Sequence, residues 1–265
     1  MSGTERIVYQ FPISHYCEKT RWNLDAKGLA YRVENLVPGL HGLTTGRIAR
    51  IGTVPVLDDG GTVIGDSTAI AAHLERAYPD RPMLPAGEAA RARALELEAY
   101  FGKRAGKSVR QWMYGQVGER PGGMVAAAAM KAYSPGVRRV GKLMAPLLER
   151  VMRRVYRINP EGIARARVTI TEVFDRLERE TESDPSRYLV GDALSLADLT
   201  AASMLAPLVA PPGSPWTGTK VADHPPAAVT ALRAELGGRP GWAWVLARYA
   251  HDRHPARFDR PSGSA

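Results

Sequence analysis

Two hydrophobic periods follow one another along this chain. Residues 5–11 and 31–37, then Val54–Leu57 and Thr62–Ile64, carry short apolar or alternating runs bounded by turn residues, and such runs predict strands. Asp58-Asp59-Gly60-Gly61 between the last two predicts a hairpin. Residues 15–28, closed by Gly28, predict a helix. So do Ser67–Tyr78, with Ile70, Leu74 and Tyr78 on one face and Pro79 behind them. Leu43–Ile51 reads as a further short helix in spite of two threonines and Gly46. The first two strands are joined through a helix, so they are expected to be parallel with a right-handed crossover.

Beyond the proline-rich stretch Pro79-Asp80-Arg81-Pro82-Met83-Leu84-Pro85 the strand period almost vanishes. Glu88–Gly102, Val137–Ile158, Glu161–Glu182, Leu196–Leu205 and Gly241–Tyr249 predict helices. Ile163, Val168, Ile170, Val173, Phe174 and Leu177 are expected to supply the apolar surface of the third. Val137–Ile158 places apolar residues at 137, 140, 143, 144, 147, 148, 151, 152 and 155, with Arg138, Arg139, Lys142, Arg150, Arg153, Arg154 and Arg157 on the other face. Pro146 is expected to kink or split it. Pro207–Pro226 reads as loop and Pro255–Ala265 as a poorly ordered tail. The expected organisation is an α/β domain over 1–80, a linker over 81–86, an all-helical domain over 87–255 and a tail over 256–265.

Composition adds bounds. With 45% hydrophobic and 24% charged residues in 265, the chain reads as a soluble globular protein. Its first residues lack a basic stretch followed by a long apolar one, and Met124–Met130 is too short and too weakly apolar to span a bilayer. A reducing cytoplasm is the expected location. The single cysteine excludes an intrachain disulfide and a multi-cysteine metal centre. His251 and His254 have no Cys or acid cluster beside them, so no metal is expected. Gly102–Ser108 looks like a phosphate loop but is one residue short and follows a helix, so it is set aside. The net charge of +9 is concentrated: ten Lys/Arg against Glu149 and Glu161 lie between Lys131 and Arg167. Such a block is either a solvated helix face or a docking surface for an anionic membrane or an acidic partner; nucleic acid is not expected.

The candidate chemistry gathers at element starts. Ser14 stands between the first strand and first helix, where free N–H groups and the helix dipole favour an anion and a hydroxyl can donate to a thiolate. It is equally a favoured N-cap. Cys17, three residues on, is either a thiol able to form a mixed disulfide or a small buried hydrophobe. Val54-Pro55 opens a strand, where Val54 can pair with an extended ligand. Asp66-Ser67 opens a helix and can cap it, receive a carboxylate, or both. Ser195-Leu196-Ala197-Asp198 is a capping box, which makes Asp198 structural. His41, in the loop after the second strand, either reaches a ligand carboxylate or is simply an exposed loop residue, and Trp112, Met113 and Tyr114 read as core or as the wall of an apolar pocket.

Ser14-His15-Tyr16-Cys17-Glu18-Lys19-Thr20-Arg21, together with Val54-Pro55, Asp66-Ser67 and the Ser195–Asp198 box, resembles the glutathione transferase family, its zeta-like, omega-like and glutaredoxin-like members in particular. The resemblance covers residues 5–85 and about 160–205. It implies a thioredoxin-like α/β domain followed by an all-α domain, a cis Val54-Pro55 bond, and glutathione as co-substrate without a metal. It implies Ser14 as the thiolate-stabilising catalytic group, with Cys17 as the other candidate. Val54, Pro55, Asp66 and Ser67 would then be the glutathione-binding residues. The implied partners are glutathione or a similar thiol, a hydrophobic electrophile and a second copy of the chain as a homodimer. Two alternatives stand beside conjugation or isomerisation: a Cys17-dependent thiol oxidoreductase, and a non-catalytic relative whose basic helix 137–158 docks on a membrane or protein. Residues 103–160 are longer and more basic than the family pattern, so the substrate class does not carry over.

Overall fold

The computed structural model describes residues 5–117 and 135–254. The expectations placed on Met124–Met130 and on the tail from Pro255 lie outside the described residues. The strands and helices β1 (Arg6–Gln10), α1 (His15–Ala26), β2 (Arg32–Asn35), α2 (His41–Ala49), β3 (Val56–Asp59), β4 (Thr62–Gly65) and α3 (Ser67–Ala77) follow in the expected order. The sheet runs β2-β1-β3-β4, with β1 and β2 parallel and the other pairs antiparallel. Gly60 and Gly61 sit at φ 61° and 95°, the left-handed backbone that a two-residue hairpin turn requires. The turn is braced by Gly61 N donating to Asp58 Oδ1 at 2.7 Å.

The rest of the described chain is helical. Helix α4 (Glu88–Tyr100) passes through a π-helical turn at Phe101–Ala105 directly into α5 (Gly106–Val117). Then come α6 (Pro135–Val155), α7 (Pro160–Glu180), α8 (Leu196–Val209), α9 (Lys220–Asp223), α10 (Ala227–Leu236) and α11 (Pro240–Asp252). Three expectations are corrected. Helix α6 runs unbroken through Pro146, which lies on an exposed face of the helix. Helix α8 continues through Pro207 to Val209, and α9 occupies ground read as loop. Every residue of α8 is buried, so packing on all sides offsets the ~3 kcal/mol that an interior proline costs. Val168, expected to face the core from α7, is 59% exposed.

The first helix carries two cores. Leu24 packs with Val8, Leu57, Ile70 and Leu74 under the sheet, while Trp22 joins the larger cluster of Leu97, Phe101, Phe174, Leu205 and Trp244. Helix α1 is thus wedged between sheet and helices, which explains why most of its charged residues are buried as well. Arg253, just past α11, donates to Glu18 Oε1 at 2.8 Å and Asp25 Oδ2 at 2.6 Å, fastening the end of the described chain to α1. The capping box forms as expected. Asp198 accepts from Ser195 N at 2.9 Å, from Ser195 Oγ at 2.6 Å and from Leu189 N at 2.7 Å. Its carboxyl is nonetheless pushed up to about 6 by burial. No helix among the described residues is long and apolar enough to cross a membrane.

Candidate active site

Strand register brings the candidate residues to one end of the sheet. Tyr9 of β1 pairs with Val56 of β3, which pairs with Gly65 of β4. From that row the chain leads on to Ser14, back to Val54 and on to Asp66-Ser67. Gln10 pairs with Asn35, so His41 at the start of α2 follows from the same end; its ring meets Phe11 edge-on at 4.8 Å.

Ser14 is the N-cap of α1, its Oγ accepting from Cys17 N at 3.4 Å. That bond uses a lone pair and leaves the hydroxyl proton free to donate. Val54-Pro55 is cis, and Val54 stands two residues ahead of the β3 pairing with no backbone partner of its own among the described residues. Asp66 caps α3 through Oδ1, which accepts from Thr68 N at 2.9 Å and Ala69 N at 3.2 Å. Its φ of 71° with ψ of 128° is a region L-residues rarely occupy, and such strain collects at ligand-binding positions. With Thr68 and Ala69 taken, the Ser67 N–H and hydroxyl and Asp66 Oδ2 are the groups left at this helix start.

Cys17 is fully buried, and burial pushes its thiol up. Low exposure and a raised thiol are the reverse of what a reactive thiolate needs. His15 is also buried. It is held neutral, lowered to about 3, first by burial and then by the nearby Arg110. In the neutral ring, Nε2 carries the proton and donates to the Gly106 carbonyl at 3.0 Å. Tyr16 donates to the Gly102 carbonyl at 3.1 Å. Both carbonyls belong to the π-turn and its edge, a local deformation that often marks functional sites. Gly106 is required there, because a Cβ would collide with Tyr16 Oη and Met204 Sδ.

Two groupings escaped the sequence reading. The first is a buried triad: Lys19 pairs with Glu98, and Thr68 donates to Glu98 Oε1 at 2.7 Å while accepting from Lys19 at 3.2 Å. It bolts the first turn of α3, beside Asp66-Ser67, to α1 and α4. The second lies on the helical side. The Arg110 guanidinium sits over the Tyr156 ring at 4.2 Å and the Tyr16 ring at 5.6 Å, and its buried Nε has no hydrogen-bond partner. Tyr114 packs against Tyr156 at 5.7 Å, and burial pushes its phenol up to about 12, so it keeps its proton. Trp112 and Met113, by contrast, are core. Spacing gives no sign of either grouping, since the partners lie 79 and 46 residues apart in sequence.

The arrangement therefore offers a hydroxyl at a helix N-terminus, a free strand-edge backbone, a polar helix start, and an aromatic wall holding one cation. Two family models match this chain: the glutathione S-transferase N-terminal domain over residues 8–82 and the C-terminal domain over residues 160–228. A glutathione S-transferase 1 of Dianthus caryophyllus is 38% identical over 103 residues, 37% of this chain and 45% of that one. A zeta-class enzyme of Euphorbia esula is 40% identical over 82 residues, 30% of this chain and 36% of that one. The matched stretch thus spans less than half the length of these relatives. Among solved structures, a glutathione S-transferase of Methylobacterium radiotolerans in complex with glutathione sulfonate superposes with a TM-score of 0.56 at 20% identity, covering 99% of this chain and 100% of that one; at that identity the likeness speaks for the fold.

Proposed function

Because this chain belongs to the glutathione S-transferase family, we propose that it binds glutathione at the Ser14 end of its sheet and adds the thiolate to an electrophilic small molecule. The observation that carries this reading is the row Tyr9–Val56–Gly65, from which three segments lead a hydroxyl, a strand-edge backbone and a polar helix start to the same end of the sheet.

Each group has a task. The Ser14 hydroxyl donates to the sulfur, and with the N-terminus of α1 it favours thiolate over thiol. Val54 pairs with the ligand backbone as an added strand would. The Ser67 N–H and hydroxyl receive the γ-glutamyl carboxylate, and Asp66 Oδ2 receives its ammonium. The electrophile enters against Tyr16, Tyr114, Tyr156 and Arg110. As the sulfur–carbon bond forms, the electron pair comes from the thiolate. In a substitution the leaving group departs with its own pair, and in an addition the electrophile takes up a proton.

Burial of Cys17 weighs against the oxidoreductase alternative, since a serine cannot form a mixed disulfide and the only thiol is withheld from solvent. A homodimer in a reducing compartment belongs to the same proposal. Calorimetric titration of glutathione into wild type and Asp66→Asn/Ser67→Ala tests it. The expected result is binding to wild type that is lost in the variant. Equal affinity in both, or none for wild type, overturns the assignment of the ligand end.

A further inference from the structure

No residue assigned above to the thiol site lies on the basic helix, and the structure shows which of its apolar side chains stay largely exposed. Leu143, Leu147, Val151 and Val155 are 81%, 56%, 50% and 65% exposed. At four-residue spacing they form one stripe about 18 Å long at 1.5 Å per residue, which winds about 120° around α6 from Leu143 to Val155. The opposite side faces the protein: Ala145 and Glu149 are buried, and Leu148 rests on Gly39, where a Cβ would collide with it. The apolar pattern thus divides into an inward row and an outward row.

Arginines border the outward row. Viewed down the axis, Arg139, Arg150 and Arg154 fall within about 40° of Leu143. All three are exposed, and none meets an acidic side chain among the described residues. Some exposed arginines elsewhere are neutralised, Arg93 by Glu96 and Glu180, Arg104 by Glu172 and Arg187 by Glu182; others, such as Arg47, Arg76 and Arg91, meet no acid among the described residues, and what sets α6 apart is that its arginines flank an exposed apolar row. An apolar line beside uncompensated guanidinium groups is the pattern of a helix lying in a membrane interface. A second copy of the same face would oppose arginine to arginine across a two-fold axis. Nucleic acid would leave the four aliphatic side chains without a partner.

We propose that α6 is a docking face for an anionic lipid surface. Leu143, Leu147, Val151 and Val155 enter the acyl boundary, and Arg139, Arg150 and Arg154 engage the headgroup phosphates. Each arginine near such a surface strengthens binding by about fivefold. The test is co-sedimentation of the full chain with vesicles of phosphatidylcholine alone and of phosphatidylcholine mixed with phosphatidylglycerol. The expected result is salt-sensitive binding to the mixed vesicles only. Arg139→Gln/Arg150→Gln/Arg154→Gln should weaken it by about 100-fold, and Leu147→Ser/Val151→Ser by at least about tenfold, both variants keeping wild-type circular dichroism. Absence of binding to the mixed vesicles, or binding unchanged in either variant, overturns the proposal. So does dissociation of a wild-type dimer by Leu147→Ser/Val151→Ser in light scattering, which would make the face a contact between copies.

Discussion

Replacing Lys19 by methionine tests the strongest electrostatic claim drawn from the structure. Lys19 and Glu98 are 1% and 2% exposed at their side chains, and Thr68 is the other group hydrogen-bonded to that carboxylate. Without the ammonium, the carboxylate must stay buried and unpaired or take up a proton. Breaking a buried pair by removing one partner costs about 3–5 kcal/mol. Protonation sets a ceiling: from an unfolded value of about 4.3, neutralising a carboxyl at pH 7 costs about 3.7 kcal/mol. The expected loss at pH 7 is therefore ~3–4 kcal/mol, or a fall in Tm of about 10 °C for a chain of this size. Lys19→Met/Glu98→Leu removes both charges and should recover most of the loss. Thermal unfolding by circular dichroism at pH 7 reads all three proteins. A single variant within about 2 °C of wild type at pH 7, or a double variant no better than the single, would refute the reasoning.

Three further outcomes are expected. Ser14→Ala should lower conjugation kcat/KM by about 10–100-fold, the worth of one hydrogen bond to an anion, and raise the pH at which bound glutathione ionises; an unchanged rate and profile would remove Ser14 from the chemistry. Cys17 should react with a maleimide only as fast as the protein unfolds, so labelling of the native protein at the rate of a free thiol would reopen the oxidoreductase reading. His15 is neutral when folded, at about 3 against an ordinary 6.5, so the unfolded chain binds one more proton between those values. Its contribution is present above pH 6.5 and lost by about 1.4 kcal/mol per pH unit below it. The stability difference between wild type and His15→Gln should therefore shrink from pH 6.5 to 4.5, and a flat difference would falsify that assignment.

Much of the fold, and the outline of the site, can be read from the sequence alone, because those features are decided within a few residues. Gly60-Gly61 makes a hairpin since only glycine takes two left-handed residues cheaply. Ser195 and Asp198 close a box within one helical turn. Ser14 and Asp66 cap helices by accepting from N–H groups two or three residues further on. Such bonds survive in almost any tertiary setting. What only the tertiary structure decided depends on partners far away in the chain. Lys19 reads as a solvated helix lysine until Glu98 is brought beside it. Cys17 reads as reactive or inert until α1 is wedged between two cores, and Pro207 ends a helix unless burial on every side holds it. Arg110 acquires its aromatic setting only when Tyr156 arrives from beyond α6. The apolar period of α6 is the same whether a row is packed or bare, because period reports which side chains share a face. Packing decides whether that face is covered, and here it leaves Leu143, Leu147, Val151 and Val155 in solvent.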